Sequence, residues 1–158
     1  MQPQLESTSA IEPTTLIAGK SWFDYPTRVF PHHTDYSGVA WHGTYLTWME
    51  EARVEYLRSL GFNYADLVAL GYELPLVELS IRYHRSVQMG AEILVRTRLS
   101  SFQGVRMVWE QRIQSPDEEI LYVTAQVTLV TTDREKGKIA RQLPPAVETV
   151  LERLREER

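Results

Sequence analysis

An α+β domain, with one long helix set against an antiparallel sheet, is the fold predicted by this sequence of 158 residues. Hydrophobic spacing changes from the helical period of 3.6 to the strand period of two just beyond Tyr72. Four period-two segments then follow, joined by links short enough for hairpins. A strand, then helices, then an unbroken run of strands belongs to the α+β class rather than to alternating βαβ folds.

Residues 1–20 mix Pro, Ser, Thr and Gln with scattered aliphatics and no aromatic residue. Such a segment buries too little to order itself and is expected to be a flexible tail. The domain proper is expected over residues 21–143. It begins with an aromatic-rich strand from Trp22 to Phe30 that closes before Pro31. A polar loop carries the chain into a helix from Gly43 to Leu60, and Gly61 takes the place of a C-terminal cap. A shorter helix, Tyr64 to Leu70, stops at Gly71. In the next strand Val77, Leu79, Ile81 and Tyr83 alternate with Glu78, Ser80, Arg82 and His84, as one buried face requires. Strands from Glu92 to Ser101, Val105 to Gln114 and Glu119 to Thr132 complete a five-stranded antiparallel sheet, through the links SFQG and SPDE. Residues 144–158 form a last element, a C-terminal helix packed on or extending from the domain, amphipathic from about Ala146 after Pro144 and Pro145.

Composition narrows the function classes. With 43% hydrophobic and 24% charged residues the chain has the make-up of a single soluble domain with a real core. A formal net charge of −4 argues against a dedicated nucleic-acid binder, which needs a basic face. The absence of cysteine removes disulfides, thiolate nucleophiles and cysteine-based zinc sites. No apolar run reaches the roughly 18 residues of a membrane span, and the N-terminal stretch lacks a basic and apolar leader pattern, so the expected compartment is the cytoplasm.

On a helical wheel Tyr45, Leu46, Trp48, Met49, Ala52, Tyr56, Leu57 and Leu60 make a broad apolar arc, so the long helix is expected to be largely enclosed. Thr47, Glu51, Glu55 and Arg58 share the solvated arc. Glu50 and Arg53 lie three residues apart at the apolar side, a spacing that allows a mutual ion pair, with a functional carboxylate at Glu50 as the alternative.

The chemistry concentrates in residues 32–57, HHTDYSGVAWHGTYLTWMEEARVEYL, at the doorstep of that helix. A helix N-terminus presents unpaired amides and a positive dipole end, a donor set for an oxygen that gains negative charge. Acyl transfer needs such a donor set together with a nearby base or nucleophile. Asp35 is placed to be that group, Gly38 to turn the loop, and His42 to position water or the carbonyl oxygen. Plainer readings stand beside these: Asp35 as a turn or capping residue, Gly38 as turn punctuation, His42 as an interface histidine. His32, His33, Asp35 and His42 form no recognised metal-ligand spacing, and in an extended segment His32 and His33 would point to opposite faces. No metal is expected. Ser37 and Ser80 stand in no nucleophile-elbow context.

The segment TDYSGVAWHGTYLTWMEEARVEYLRSLGF resembles the signature of the hotdog-fold acyl-CoA thioesterases of the 4-hydroxybenzoyl-CoA thioesterase branch, including the small bacterial enzymes associated with the Tol–Pal genes. The resemblance spans residues 22–133 and rests on a D-x-x-G-x-x-x-H/Y-x-x-Y core. It implies a long helix wrapped by the five-stranded sheet, and an acyl-CoA or acyl-carrier-protein thioester as substrate. It makes Asp35 the catalytic carboxylate, the backbone amide near His42 or Gly43 the carbonyl polariser, and His42 an auxiliary. Gly38 and Tyr45 become substrate contacts, and no cofactor is needed. Thr44 departs from the asparagine often found before the tyrosine. A related branch carries its carboxylate eight residues after the glycine, a spacing that Gly43 and Glu51 match, but the solvated arc ranks Glu51 below Asp35. Among Arg82, Arg85, Arg96, Arg98 and Arg106, Arg85 at a strand end is the first candidate for a coenzyme phosphate; the others read equally as a solvated face balanced by Glu78, Glu92 and Glu110.

The resemblance also implies a homodimer built by sheet pairing, with sites at the interface, and a pairing of dimers into a homotetramer. The residues point the same way: strands from Glu92 to Thr132 hold no proline outside a link, and Tyr45, Trp48 and Tyr56 are expected to reach a partner. Two other classes share these features, a hotdog dehydratase or isomerase and a non-catalytic acyl-CoA binding module.

Overall fold

The computed structural model describes residues 15–16 and 22–156. Its strands are Thr15–Leu16 (β1), Phe23–Arg28 (β2), Tyr72–Glu73 (β3), Leu76–Tyr83 (β4), Glu92–Gln103 (β5), Arg106–Gln114 (β6), Leu121–Val130 (β7), Thr132–Asp133 (β8) and Lys138–Ile139 (β9). Its helices are Thr44–Ser59 (α1), Tyr64–Ala69 (α2) and Pro145–Glu156 (α3), with a single 3-10 turn over Pro31–His33.

The main sheet runs β2-β5-β6-β7-β4, every neighbour antiparallel, which is the five-stranded sheet that the sequence predicts. One addition comes from the segment expected to be a tail: Thr15–Leu16 pair with Phe102 and Ser101 at the far end of β5. The rest of residues 1–20 lies outside the described residues. The last long strand ends at Val130 rather than Thr132, where the chain turns off to make the small sheet β3-β8-β9.

One face of the sheet is apolar because alternate residues carry it: Ile93, Val95 and Leu99 on β5, Met107, Trp109 and Ile113 on β6, Val123, Val127 and Leu129 on β7 are all buried. The apolar arc of α1 covers that face through Tyr45, Trp48, Met49, Ala52, Tyr56 and Leu57. Each such large side chain contributes about 1.5–3 kcal/mol on leaving water. Leu46 is the exception on the arc, 37% exposed. The helix ends in a Schellman motif, with Phe62 N–H donating to Leu57 O and Gly61 N–H to Arg58 O, and Gly61 supplies the positive φ of 85° that this turn requires. The apolar side of α3, Val147, Val150, Leu151 and Leu154, closes the far end of the core over Leu57, Leu60 and Phe62, while Arg153 donates to the free Leu60 carbonyl.

Three expectations are corrected. Tyr45, Trp48 and Tyr56 are buried within the chain, 3%, 0% and 3% exposed, because Phe23 stacks on Tyr56 at 4.7 Å and His33 meets Trp48 edge-on at 5.1 Å. They do not wait for a partner. The strands without proline, β5, β6 and β7, are interior, and the sheet edges are β4 on one side and, on the other, β2, which contains Pro26, with the two-residue β1 farther along β5. Arg53 is buried, but its guanidinium donates to Gln111 Oε1 at 2.7 Å rather than pairing with the exposed Glu50. Gln111 in turn donates to Met49 O, so a buried polar link joins helix to sheet. No helix among the described residues is long and apolar enough to cross a membrane.

Candidate active site

The loop between the 3-10 turn and α1 is folded tightly on itself. Asp35 N–H donates to Val39 O, Gly38 N–H donates to Asp35 O, and Ser37 N–H donates to the Asp35 carboxylate at 2.8 Å. This is an Asx turn, and Gly38 with φ 76° closes it in a backbone region that a side chain would strain. Thr34 bridges Ala40, and the tip is pinned to residues 87–89 by Ala40 N–H to Val87 O and Met89 N–H to Gly38 O. Asp35 therefore has its capping role and still keeps a half-buried carboxylate with one oxygen free of that turn.

The chain enters α1 with Gly43 as its N-cap. A Cβ at Gly43 would run into the Trp41 ring, so the residue must be glycine for the indole to fold over the helix start. Thr44 N–H donates to Trp41 O, while Gly43 N–H has no acceptor among the described residues. A donor at the positive end of a 16-residue helix is left open.

Asp35, His42, Tyr45 and Arg85 line one cleft of about 330 Å³ with Val39, Ala40, Tyr83, His84 and Ser86. Gly38 and Gly43, also expected in the site, are not among the residues that line it, though their neighbours Val39 and His42 are. Tyr45 forms the floor: its hydroxyl accepts from Val87 N–H at 3.3 Å and its ring meets Tyr83 edge-on at 5.3 Å. Burial above all pushes the Tyr45 hydroxyl up from its ordinary value, with the Val87 amide opposing and Tyr83, Tyr122 and Asp35 adding to it. Burial raises Tyr83 as well. Both phenols stay protonated through neutral pH; Tyr45 accepts from Val87 and Tyr83 is a neutral donor.

Three polar members of this cleft escaped the sequence reading. Tyr83 donates to His42 O at 2.7 Å, His84 meets Thr124 Oγ1 at 2.9 Å, and Ser86 follows Arg85 at the rim. The pairing that carries the end of β4 to the loop is non-local, so only the run of polar residues after Tyr83 hints at it. His32 and His33 are not extended; in the 3-10 turn their rings lie 4.0 Å apart. The described residues contain no group of three or more histidines and carboxylates placed to hold a metal. Glu51 is not merely solvated: it accepts the Tyr25 hydroxyl hydrogen at 2.8 Å, tying β2 to α1.

The arginines sort as well. Arg96 pairs with Asp24, Arg98 with Glu110 and Arg106 with Glu78, and Arg112 lies over the Trp22 ring; Glu92 is engaged by Arg28. Arg85 is exposed at the cleft. A second cleft of about 380 Å³ on the outer sheet face holds one carboxylate, Glu110, and Arg98 engages it through Nε and Nη2.

Residues 37–128 match the sequence model of the family described as the Thioesterase superfamily. The chain belongs to that superfamily. This thioesterase is 49% identical over 137 residues to the putative esterase sll0410 of Synechocystis, covering 87% of this chain and 82% of that protein. It is 30% identical over 125 residues to the acyl-CoA thioester hydrolase YbgC of Escherichia coli, covering 79% and 92%. Among solved structures, a 1,4-dihydroxy-2-naphthoyl-CoA thioesterase of Synechocystis superposes with a TM-score of 0.76 at 25% identity, over 83% of this chain and 96% of that one. The hotdog fold and the acyl-CoA thioesterase reading of residues 34–62 are both borne out.

Proposed function

We propose that the protein hydrolyses acyl-CoA thioesters to free acid and thiol, with Asp35 as nucleophile or general base and Gly43 N–H as the donor to the carbonyl oxygen. The observation that carries this is the single cleft lined by Asp35 together with His42 and Tyr45, the residues on either side of Gly43 and Thr44 where α1 begins. As base, Asp35 takes a proton from water while the water oxygen attacks the thioester carbon. As nucleophile, its carboxylate attacks that carbon to give a mixed anhydride, which water then cleaves. In either course the carbonyl oxygen gains negative charge, which the Gly43 amide and the helix dipole stabilise. The carbon–sulfur bond then breaks, and the leaving sulfur takes a proton, from protonated Asp35 in the first course and from water in the second, to depart as the thiol. His42 assists at the same rim, Gly38 holds the loop close to the acyl group, and Tyr45 floors the pocket. Arg85 takes a phosphate of the coenzyme. No cofactor enters these steps.

Coenzyme A is the favoured thiol carrier because YbgC is named for acyl-CoA; an acyl-carrier protein presents the same thioester and the same arm. The enzyme works as a homodimer, and its dimers pair into a tetramer. Support comes from β4, a sheet edge with Leu76, Val77 and Tyr83 exposed, whose end runs into cleft residues 84–86. A net charge of −4 disfavours nucleic acid, and a cysteine-free chain suits the cytoplasm. A panel of acyl-CoA thioesters with free-thiol detection tests the reading. Thiol release supports it; hydration or double-bond migration without thiol release would make the protein a dehydratase or isomerase, and binding without turnover a binding module.

A further inference from the structure

The 3-10 turn ahead of Asp35 is held by an unusual acceptor. Phe30 N–H donates to the His33 ring at Nδ1, 3.0 Å away, while His33 N–H returns a bond to Phe30 O at 2.9 Å. The first bond is the returning half of a capping box, with an imidazole in the place usually taken by a glutamate or glutamine, and the second is the backbone bond of the 3-10 turn itself. The same residue holds the other end of the loop through its carbonyl, which accepts Trp41 N–H at 3.0 Å and Thr44 Oγ1–H at 2.8 Å. Asp35 lies between the two anchorages, and Thr44 is the first residue of α1.

We propose that His33, neutral with its proton on Nε2, is a positioning residue that latches the Asp35 loop to the start of α1. The inference rests on the assignment of Asp35 and Gly43 made above. An Nδ1 that accepts an amide hydrogen must present its lone pair, so the neutral ring carries its proton on Nε2. Protonation places a second hydrogen on Nδ1, facing Phe30 N–H donor to donor, and the latch opens.

The surroundings favour the latched form. His32 lies beside the ring within the turn, Trp48 of α1 meets it edge-on, and Glu51 of α1 faces it with its carboxylate held by Tyr25 of β2. Burial pushes the imidazole below its ordinary value, His32 acts in the same direction, and Glu51 opposes both. As pH falls below about 6.5 the unlatched forms take up a proton that the latched form resists. The latch is therefore complete at neutral pH and weakens on the acid side.

Two variants separate the side chain's acceptor from its titration. Asparagine places an oxygen where His33 carries Nδ1 and does not titrate; alanine offers no acceptor. His33→Ala should lower kcat about 10-fold across the pH range with KM for acyl-CoA within about two-fold, since displaced catalytic groups cost rate more than binding. His33→Asn should restore kcat at pH 7 to within about three-fold and lack the acid-side loss below about pH 6.5 expected of the unaltered enzyme. Nitrogen-15 spectra of the unaltered protein at pH 7 should place the His33 proton on Nε2 and leave Nδ1 bare. Normal kcat in His33→Ala, identical acid limbs for His33→Asn and the unaltered enzyme, or a protonated Nδ1 at pH 7 would each overturn the proposal. Should His33→Ala fail to fold, the asparagine profile and the spectra still decide. Asp35→Asn is run alongside: full activity there removes the assignment on which the latch depends, whereas an inactive Asp35→Asn beside a normal His33→Ala rejects the latch alone.

Discussion

Replacing Asp35 by asparagine separates the carboxylate's charge from its place in the turn. Asp35 Oδ1 accepts the Ser37 amide hydrogen at 2.8 Å, and the asparagine amide offers an oxygen in the same position. The Asx turn, the Gly38 closure and the contacts to residues 87–89 therefore persist, and stability should change by no more than about 0.5 kcal/mol. What disappears is the charge needed to take a proton or to attack the thioester. General-base catalysis contributes about 10²- to 10⁴-fold, which at 1.36 kcal/mol per decade is roughly 2.7–5.4 kcal/mol of barrier. We expect kcat to fall by at least about 10²-fold with KM within about three-fold and a melting temperature within about 2 °C of the unaltered protein. Thiol release measures the first two and a thermal melt the third. A kcat within about three-fold of normal would refute the assignment of Asp35. The Glu51→Gln variant, measured in parallel, keeps an acceptor for Tyr25 and should leave kcat nearly unchanged; a collapse there with Asp35→Asn active would move the chemistry to the helix carboxylate.

Arg85→Ala should raise KM for acyl-CoA several-fold and weaken its salt dependence while leaving kcat for a truncated thioester unchanged; equal kinetics on both substrates would reject the phosphate contact. Tyr25→Phe should lower the melting temperature at pH 7 by a few degrees, for a hydrogen bond to a charged acceptor worth about 1–2 kcal/mol. The Tyr25 hydroxyl is raised from 10.0 to about 12, burial first and Glu51 next, so this contribution is complete below pH 10 and disappears as pH rises toward 12. Melting curves over that range should show the loss in the unaltered protein and not in the variant. Val77→Asp puts a charge on the exposed edge β4 and should shift sedimentation toward monomer with activity falling in step; a fully active monomer would contradict a site that depends on assembly.

The parts of the fold carried by periodicity were legible. The helix-facing residues of β5 and β6 follow the period-two pattern. On β4 only Leu79 and Ile81 are half-buried, while Val77 and Tyr83, expected on the same face, are exposed at the sheet edge. The stop of α1 at Gly61 follows from a residue that alone adopts the required φ without strain. Less legible was anything decided by distant partners. Arg53 lies within reach of Glu50 along the helix, yet Gln111 from β6 takes the guanidinium, a pairing set by how sheet and helix dock. Tyr45, Trp48 and Tyr56 suggested a partner surface only because the coverage by Phe23 and the His33 turn does not follow from spacing. In the site, Asp35, Gly38, His42 and Gly43 stand within one short stretch, so their conjunction was readable. Tyr83, His84 and Ser86 reach it through strand pairing, and the acceptor role of His33 lay hidden in a turn that a proline followed by two histidines does not announce.

The bond from Tyr83 to His42 O has a consequence for the neighbouring donor. His42 C=O and Gly43 N–H are opposite edges of one planar, resonance-coupled peptide unit. A phenol hydrogen drawn onto the carbonyl oxygen pulls electron density across that plane and deepens the positive charge on the amide hydrogen. The amide proposed to meet the thioester oxygen is thus polarised from behind, and its orientation is fixed by a side chain on the outermost strand. Any chain that pairs along β4 leans on the same strand, so the strength of one backbone donor at the helix start becomes a property of the assembled sheet.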